Sequence, residues 1–163
     1  MQIDNVIKFK ISKNLVDYDS AIELMSSHIN KMKKKQAKEM LWFLEHNSIF
    51  TAGTSAKEID QNIKNKKLIR YVGRGGQWTW HGPGQRVVYI MLDLKKRDKD
   101  IKKYINNLEQ WIISTLRFFK IDAIIQDGNP GVWIKKNNTF FKIASVGVRI
   151  SHWITWHGIS INV

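Results

Sequence analysis

The sequence predicts an α+β fold in which a mixed β-sheet is flanked by helices. Two segments have the three- and four-residue apolar spacing of amphipathic helices, and several others alternate or run continuously apolar, as strands do. Hairpin signals cluster late in the chain, which favours a mixed sheet over a purely parallel one. No repeat, linker or low-complexity tract divides the 163 residues, so we expect a single domain over residues 1–163.

The two helices are predicted from aspartates that can cap them and from the apolar spacing that follows. Asp17 or Asp19 begins the first helix, which we expect to end near Lys38. Asp98 or Asp100 begins the second, whose spacing is the clearest helical pattern in the chain.

The strands are separated by loops and turns rich in polar residues and glycine. We predict them, in chain order, at residues 6–11, 40–45, 68–72, 86–92, 121–125, 132–135, 141–150 and 153–163. The sixth and seventh form a hairpin around Asn137 and Asn138. Residues 127–131 form a turn, and residues 46–56 form a loop.

The chain carries a formal net charge of +13, which attracts anionic partners such as nucleic acid, anionic lipid or an acidic protein. Much of this charge is lysine in runs at residues 31–38, 64–67 and 95–103, so a solvated lysine-rich surface is an equal alternative. No apolar run approaches the roughly 20 residues of a membrane span, and residues 1–6 do not resemble a secretory signal. We therefore expect a cytoplasmic location, with which the absence of cysteine is compatible.

Residues 73–84 contain half of the ten glycines and one of the two prolines. Glycine permits positive φ angles and lets a backbone approach a ligand closely. The Arg, Gln, Thr and His side chains among these glycines predict a loop that wraps a small ligand, with its own amides as donors. A tight turn between two strands is the less favoured alternative.

Two later segments could also carry chemistry. On a regular strand Lys142 shares a face with Ala144 and Val146, where a charge is costly unless it is used or its pKa falls. An edge lysine that reaches water is the alternative that spacing alone favours. Gly158 interrupts a strand pattern, which indicates a bulge or a close backbone approach, and His157 beside it is more typical of a hydrogen-bonded structural residue.

Taken together, these segments resemble the octanoyl/lipoyl transferase family, whose members move an octanoyl group from acyl carrier protein to a lysine of lipoyl domains. The resemblance rests on HNSIFTAG at residues 46–53, RGGQWTWHGPGQ at 74–85, NPGVW at 129–133, KIASVGVR at 142–149 and HGISINV at 157–163. These blocks occur in the family's order and span nearly the whole chain.

The resemblance implies a catalytic fold like that of the biotin and lipoate protein ligases. It also implies a mechanism in which a cysteine thiolate takes the octanoyl group and passes it to the acceptor lysine. Lys142 matches the lysine that lowers the pKa of that cysteine or shuttles its proton. The substrate-binding residues carried over are Arg74, Gly75, Gly76, Gln77, Trp78, Thr79, Trp80, His81, Ser145, Val146, Gly147, Gly158, Ile159 and Ser160.

The partners that the resemblance implies are octanoyl-acyl carrier protein and the lipoyl domains of 2-oxoacid dehydrogenases and of glycine cleavage H protein. These partners are acidic, so the positive charge of the chain would steer them to the site. We expect no cofactor, metal site, nucleic-acid partner or membrane partner, and we expect a monomer.

One departure from the family pattern is large. The family's cysteine lies in a Pro-Cys-Gly motif beyond the block at residues 157–163, whereas this sequence has no cysteine. We therefore expect a C-terminally truncated catalytic domain that keeps much of its acyl site and is inactive by the covalent route, with marginal stability.

Two other functions stay open at this point. An ATP-dependent lipoate-protein ligase has the same fold and needs no cysteine, but the HGPGQ sequence at residues 81–85 favours the transferase. A basic nucleic-acid-binding module is the third possibility, since Trp78 and Trp80 lie near Arg86, but no nucleic-acid-binding motif is present.

Overall fold

The structure is a computed structural model that describes residues 6–57 and 66–163. Residues 1–5 and part of the lysine run 64–67 lie outside the described residues. The helices are α1 (Tyr18–Lys33) and α2 (Ile101–Phe118), with short 3-10 turns at Lys66–Leu68 and Leu94–Lys96. The strands are β1 (Lys8–Ile11), β2 (Met40–Leu44), β3 (Ile49–Ala52), β4 (Ile69–Tyr71), β5 (Trp78–His81), β6 (Gln85–Met91), β7 (Ile124–Gln126), β8 (Asn129–Lys136), β9 (Thr139–Ser151) and β10 (Ile154–Asn162).

Seven strands form the main sheet, in the order β1-β2-β6-β10-β9-β8-β7. The β1–β2 pair is parallel and the other pairs are antiparallel, so the sheet is mixed as predicted. The helices cover opposite faces. Along β6, Val87 and Tyr89 pack toward α1, whereas Val88 and Ile90 pack toward α2. Burial on both faces explains why this strand is continuously apolar.

A second sheet has three short strands in the order β4-β3-β5. Two of them lie where the sequence predicted loops: β3 within residues 46–56 and β5 within the glycine-rich segment. The loop predictions are therefore wrong over Ile49–Ala52 and over Trp78–His81. These four-residue strands are defined by pairing with each other, at Phe50 with Trp80 and Thr51 with Thr79, and not by a local pattern.

Both helices start at predicted caps. The Asp17 carboxylate accepts the backbone N–H of Ser20 at 2.9 Å, and the Asp100 carboxylate accepts that of Lys103 at 3.0 Å. The prediction that the first helix extends to about Lys38 is wrong, because α1 ends at Lys33. Met32 is the last buried apolar residue of the helix, so the lysines beyond it have no packing to hold them helical.

The late hairpin is confirmed, with Asn137 and Asn138 both at positive φ (48° and 59°) between β8 and β9, as a type I′ turn requires. The first strand begins at Lys8 instead of residue 6, and the strand expected at 121–125 lies at Ile124–Gln126. The α+β fold class is confirmed. Within the described ranges, neither α1 nor α2 is long and apolar enough to cross a bilayer.

Candidate functional site

A cavity of about 410 Å³ opens on the α1 side of the main sheet, beside the small sheet. Strand β5 and the glycine-rich segment before it form one wall. Strands β6, β9 and β10 form the floor. The residues that line the cavity are Tyr18, Ser55, Arg74, Gly76, Gln77, Trp78, Thr79, His81, Val87, Tyr89, Pro130, Lys142, Ser145, Val146, Gly147, His157, Gly158, Ile159 and Ser160.

The cavity brings together three sequence segments predicted to carry the site: residues 74–81, 142–147 and 158–160. All the predicted site residues line it except Gly75 and Trp80. The backbone N–H of Gly75 instead donates to the Val148 carbonyl at 2.9 Å, which ties the glycine-rich segment to β9. The Trp80 indole donates to the Ser48 hydroxyl at 2.9 Å on the outer side of the small sheet.

Arg74 is a buried cation at the wall of this cavity. Its guanidinium donates to the Thr51 carbonyl and hydroxyl at 2.8 and 2.7 Å and to the Gly75 carbonyl at 3.0 Å. No carboxylate within the described part of the chain pairs with it. Burial lowers the pKa of Arg74, yet a guanidinium keeps its proton, so the cavity wall carries an uncompensated positive charge.

A hydrogen-bond chain fixes two buried rings below the cavity. The Val16 carbonyl can only accept, so His46 donates to it through Nδ1 at 2.7 Å. His46 Nε2 is then an acceptor, and the Tyr89 hydroxyl donates to it at 2.7 Å. Burial lowers the pKa of His46 and raises the pKa of Tyr89. Both rings are therefore neutral, and the Tyr89 oxygen keeps its lone pairs free.

His81 is fixed in one tautomer in the same way. The Gln85 amide nitrogen donates to the Trp80 carbonyl and to the Asn162 side-chain oxygen, both at 3.0 Å. The Gln85 oxygen is therefore the acceptor for His81 Nδ1 at 2.6 Å. Burial lowers the pKa of His81 to about 4, so the ring is neutral near pH 7. Its Nε2 is then an unprotonated acceptor in the cavity lining.

Lys142 lines the cavity, but not through the alternation expected from the sequence. The β8–β9 register shifts between Val132 and Trp133, so Val132 faces Ala144 and Trp133 faces Lys142. Because of this bulge, the side chains of Lys142 and Ala144 point to opposite faces of the sheet. Ala144 is buried on the α2 face. The prediction that the two residues share a face is therefore wrong. The Lys142 ammonium lies 4.8 Å from the Trp133 ring centroid, and partial burial lowers its pKa.

The start of β8, beside Lys142, depends on a glycine. The turn predicted over residues 127–131 ends at Gly128, and β8 begins at Asn129. Gly131 has a φ of +110°, and a Cβ there would lie 2.6 Å from the Ala144 carbonyl oxygen. Its N–H donates at 2.9 Å to the buried carboxylate of Glu109 on α2. The helix thereby fixes the start of the strand that contacts the lysine side chain.

Several cavity residues were not among the predicted site residues: Tyr18, Ser55, Val87, Tyr89, Pro130 and His157. Tyr18 and Tyr89 look like ordinary core positions of a helix and a strand, and no sequence signal separates them from the core. Pro130 and His157 lie within the motif blocks, and their place in those blocks could have identified them as site residues. Among residues 6–57 and 66–163, no three His, Asp or Glu side chains converge to hold a metal ion.

This site matches a known family. The model of the lipoyl protein ligase A/B catalytic domain matches residues 17–163. The chain belongs to that family. The Bartonella quintana octanoyltransferase is 44% identical over 96% of this chain and 68% of its own length. The Anaplasma phagocytophilum octanoyltransferase is 44% identical over 96% of this chain and 76% of its own length. The predicted membership of the octanoyl/lipoyl transferase family, and with it the acyltransferase class, is confirmed.

The fold also has a solved counterpart. A bipartite lipoate protein ligase from Thermoplasma acidophilum, studied with its E2 lipoyl domain, superposes with a TM-score of 0.66 at 16% identity. The match covers 97% of this chain and 62% of that one. At this identity the likeness concerns the fold alone, and it confirms the lipoate-ligase-like fold that the sequence predicts.

Proposed function

We propose that the cavity binds the octanoyl or lipoyl group in a transfer from acyl carrier protein to a lysine of lipoyl domains. The observation that carries this proposal is the convergence of residues 74–81, 142–147 and 158–160 on one cavity. Its volume of about 410 Å³ lies within the range of small-molecule sites. The chain's octanoyltransferase relatives support octanoyl as the acyl group.

The lining suits a molecule with an apolar tail and a polar head. Val87 and the rings of Tyr18 and Tyr89 offer apolar surface on the α1 side. Arg74 and Lys142 place positive charge in the same cavity. Burying the seven saturated carbons of an octanoyl chain at about 0.8 kcal/mol each contributes roughly 5–6 kcal/mol to binding.

We propose further that a polypeptide of these 163 residues binds the acyl group without turning it over by a thiol. It has no cysteine, so Lys142 has no thiol to activate. The hydroxyl of Ser160 lies in the cavity, but no base contacts it among the described residues, and such a hydroxyl is a weak nucleophile near neutral pH.

The partners of this site are predicted from the relatives and from charge. With a net charge of +13, the chain attracts acidic proteins, among them acyl carrier protein and lipoyl domains. Affinity for octanoyl-acyl carrier protein should fall as ionic strength rises from about 0.05 to 0.5 M, because the Debye length shrinks. A monomeric state and a cytoplasmic location remain predictions of the same kind.

The experiment that tests the proposal separates binding from turnover. The 163-residue chain is mixed with octanoyl-acyl carrier protein and a lipoyl domain. Calorimetry reports binding, and intact mass reports acylation of either protein. We expect salt-sensitive binding with no acyl-enzyme and no octanoylated lipoyl domain. Transfer at ordinary enzyme rates would refute the predicted inactivity, and a lack of binding at low salt would refute the acyl site.

A lipoate-protein ligase is the second candidate function, favoured by the absence of cysteine, because ATP-driven activation of lipoate needs no thiol. The matched assay supplies free lipoate and ATP and measures pyrophosphate release. We expect no release with this chain. Lipoate-dependent release of pyrophosphate would replace the transferase proposal by the ligase.

A further inference from the structure

Beside the cavity, strand β10 loses its regular pairing with β6 but keeps its pairing with β9. Its ladder to β9 is continuous from Ile154 to Ile161, but its ladder to β6 runs only from Gly158 to Asn162. At the break the Thr155 hydroxyl donates to the Ile90 carbonyl at 2.6 Å and accepts the Leu92 N–H at 2.9 Å. Beyond the break the backbone pairing resumes, since the Thr155 N–H donates to the Leu92 carbonyl at 2.9 Å.

At this interruption the backbone of His157 adopts a left-handed conformation. His157 has a φ of +58°, which is rare for a residue with a side chain and rarer still inside a central strand. Its backbone N–H does not join the β6 ladder and instead donates to the Met25 sulfur on α1 at 3.3 Å. Gly158 follows, where a Cβ would lie 2.2 Å from the Val88 carbonyl oxygen, so only glycine permits this path.

The turned residue points toward the cavity. Ile159 packs in the cluster against α2, so regular alternation would place His157 on that face as well. Instead His157 lines the cavity, with its ring centroid 6.0 Å from that of Tyr89 on the α1 side. A left-handed backbone conformation is unfavourable for a residue that has a side chain. The fold therefore keeps His157 in an unfavourable backbone conformation, and this conformation places its imidazole in the cavity.

The imidazole of His157 is largely buried, but its ring nitrogens are accessible from the cavity. His157 is only 6% exposed, and no hydrogen bond joins either ring nitrogen to another of the described residues. Among those residues, the fully buried side-chain atoms that lack a partner are the Tyr104 hydroxyl and the Trp156 indole nitrogen, so the His157 nitrogens keep some exposure and a ligand in the cavity can bind there. Burial, helped by Arg74 and Arg149, lowers the pKa of His157 to about 3. The ring is therefore neutral near pH 7 and carries one N–H donor.

We propose that His157 binds the carbonyl oxygen of the acyl thioester by donating this N–H. The inference rests on the proposed acyl site and adds a specific contact to it. The nearby guanidiniums of Arg74 and Arg149 create a positive potential that favours an oxygen lone pair over an ammonium group as the ligand atom. The same N–H faces the oxygen that gains negative charge when a nucleophile attacks the thioester.

The test removes the imidazole and the carbonyl independently. His157→Gly relieves the positive-φ strain while deleting the donor. His152→Gly is the matched control, because His152 also has a positive φ, of 55°, but lies in an exposed turn. S-octanoyl pantetheine is compared with S-octyl pantetheine, in which a CH₂ replaces the carbonyl. A His157→Asn variant and the parent chain complete the set of four proteins. For each protein, calorimetry gives the ratio of the dissociation constants of the thioether and the thioester. Thermal melts check that each variant folds.

The parent and His152→Gly should prefer the thioester to the thioether by roughly 2- to 10-fold, the contribution of one neutral hydrogen bond. His157→Gly should bind both ligands equally, and His157→Asn, which tolerates positive φ, should keep part of the preference. A carbonyl-¹³C label should show a downfield shift on binding that disappears in His157→Gly. An unchanged preference in His157→Gly would overturn the inference while leaving the acyl site intact. Failure of the parent to bind either ligand would overturn both.

Discussion

Acid should destabilise this protein at pH values well above those at which its carboxylates titrate. His81 and His157 have pKa values of about 4 and about 3 in the folded chain, both because of burial, against 6.5 ordinarily. The unfolded chain therefore takes up these protons first as the pH falls. Stability is complete above about pH 6.5 and declines toward pH 4, where His81 begins to be protonated in the folded state.

The magnitude follows from the two pKa differences. Between pH 7 and pH 5 each histidine removes about 2 kcal/mol of unfolding free energy, so the pair removes about 4 kcal/mol. The pKa of His46 is also lowered by burial and adds to the loss in the same direction. Since a domain has only about 5–15 kcal/mol of stability, this is a large part of it.

Urea unfolding at pH 7, 6 and 5 measures the effect. His81→Gln and His157→Gly should each reduce the difference between pH 7 and pH 5 by about 2 kcal/mol. His152→Gln, at an exposed turn, is the control. A parent chain equally stable at pH 7 and pH 5 would contradict the reasoning. So would a pH dependence that both cavity variants leave unchanged.

Three further variants test how the fold supports the site. Asp100→Ala removes the α2 cap and should cost about 1 kcal/mol in urea unfolding, and no change would contradict the capping role. Gly131→Ala places a Cβ against the Ala144 carbonyl and should lower the melting temperature through a loss of about 1–3 kcal/mol. An unaltered melting temperature would show that the start of β8 can shift to accommodate the Cβ. Arg97→Met leaves the Glu39 carboxylate, only 4% exposed, without its guanidinium partner and should cost about 1–3 kcal/mol by guanidinium chloride unfolding. A more stable variant would show that the pair is dispensable.

The fold class could be predicted from the sequence because its main elements carry their own patterns. The apolar spacing of α2 and the Asn137-Asn138 turn are local signals, and both are found where expected. The end of α1 was missed because lysines are compatible with a helix but have nothing to pack against beyond Met32. Strands β3 and β5 were missed because they are defined by each other.

The site was predictable as far as its motif blocks. The cavity gathers nearly all the residues that the resemblance named, including Lys142 and Ser145 on β9. The direction of two side chains was not predictable, because each depends on a break in the ladder. The bulge before Ala144 turns Lys142, and the left-handed backbone at His157 turns an apparently structural histidine into the cavity.

The central claim is that an octanoyl chain occupies the cavity between residues 74–81, 142–147 and 158–160. The most direct test is an isotope-edited NOE measurement with methyl-labelled protein and S-octanoyl pantetheine. We expect NOEs from the octanoyl chain to the methyl groups of Val87, which lines the cavity on the α1 side. A groove of about 400 Å³ between α2 and the β7–β9 edge, lined by Ile113 and Ile121, is the internal control. NOEs confined to that groove would contradict the claim.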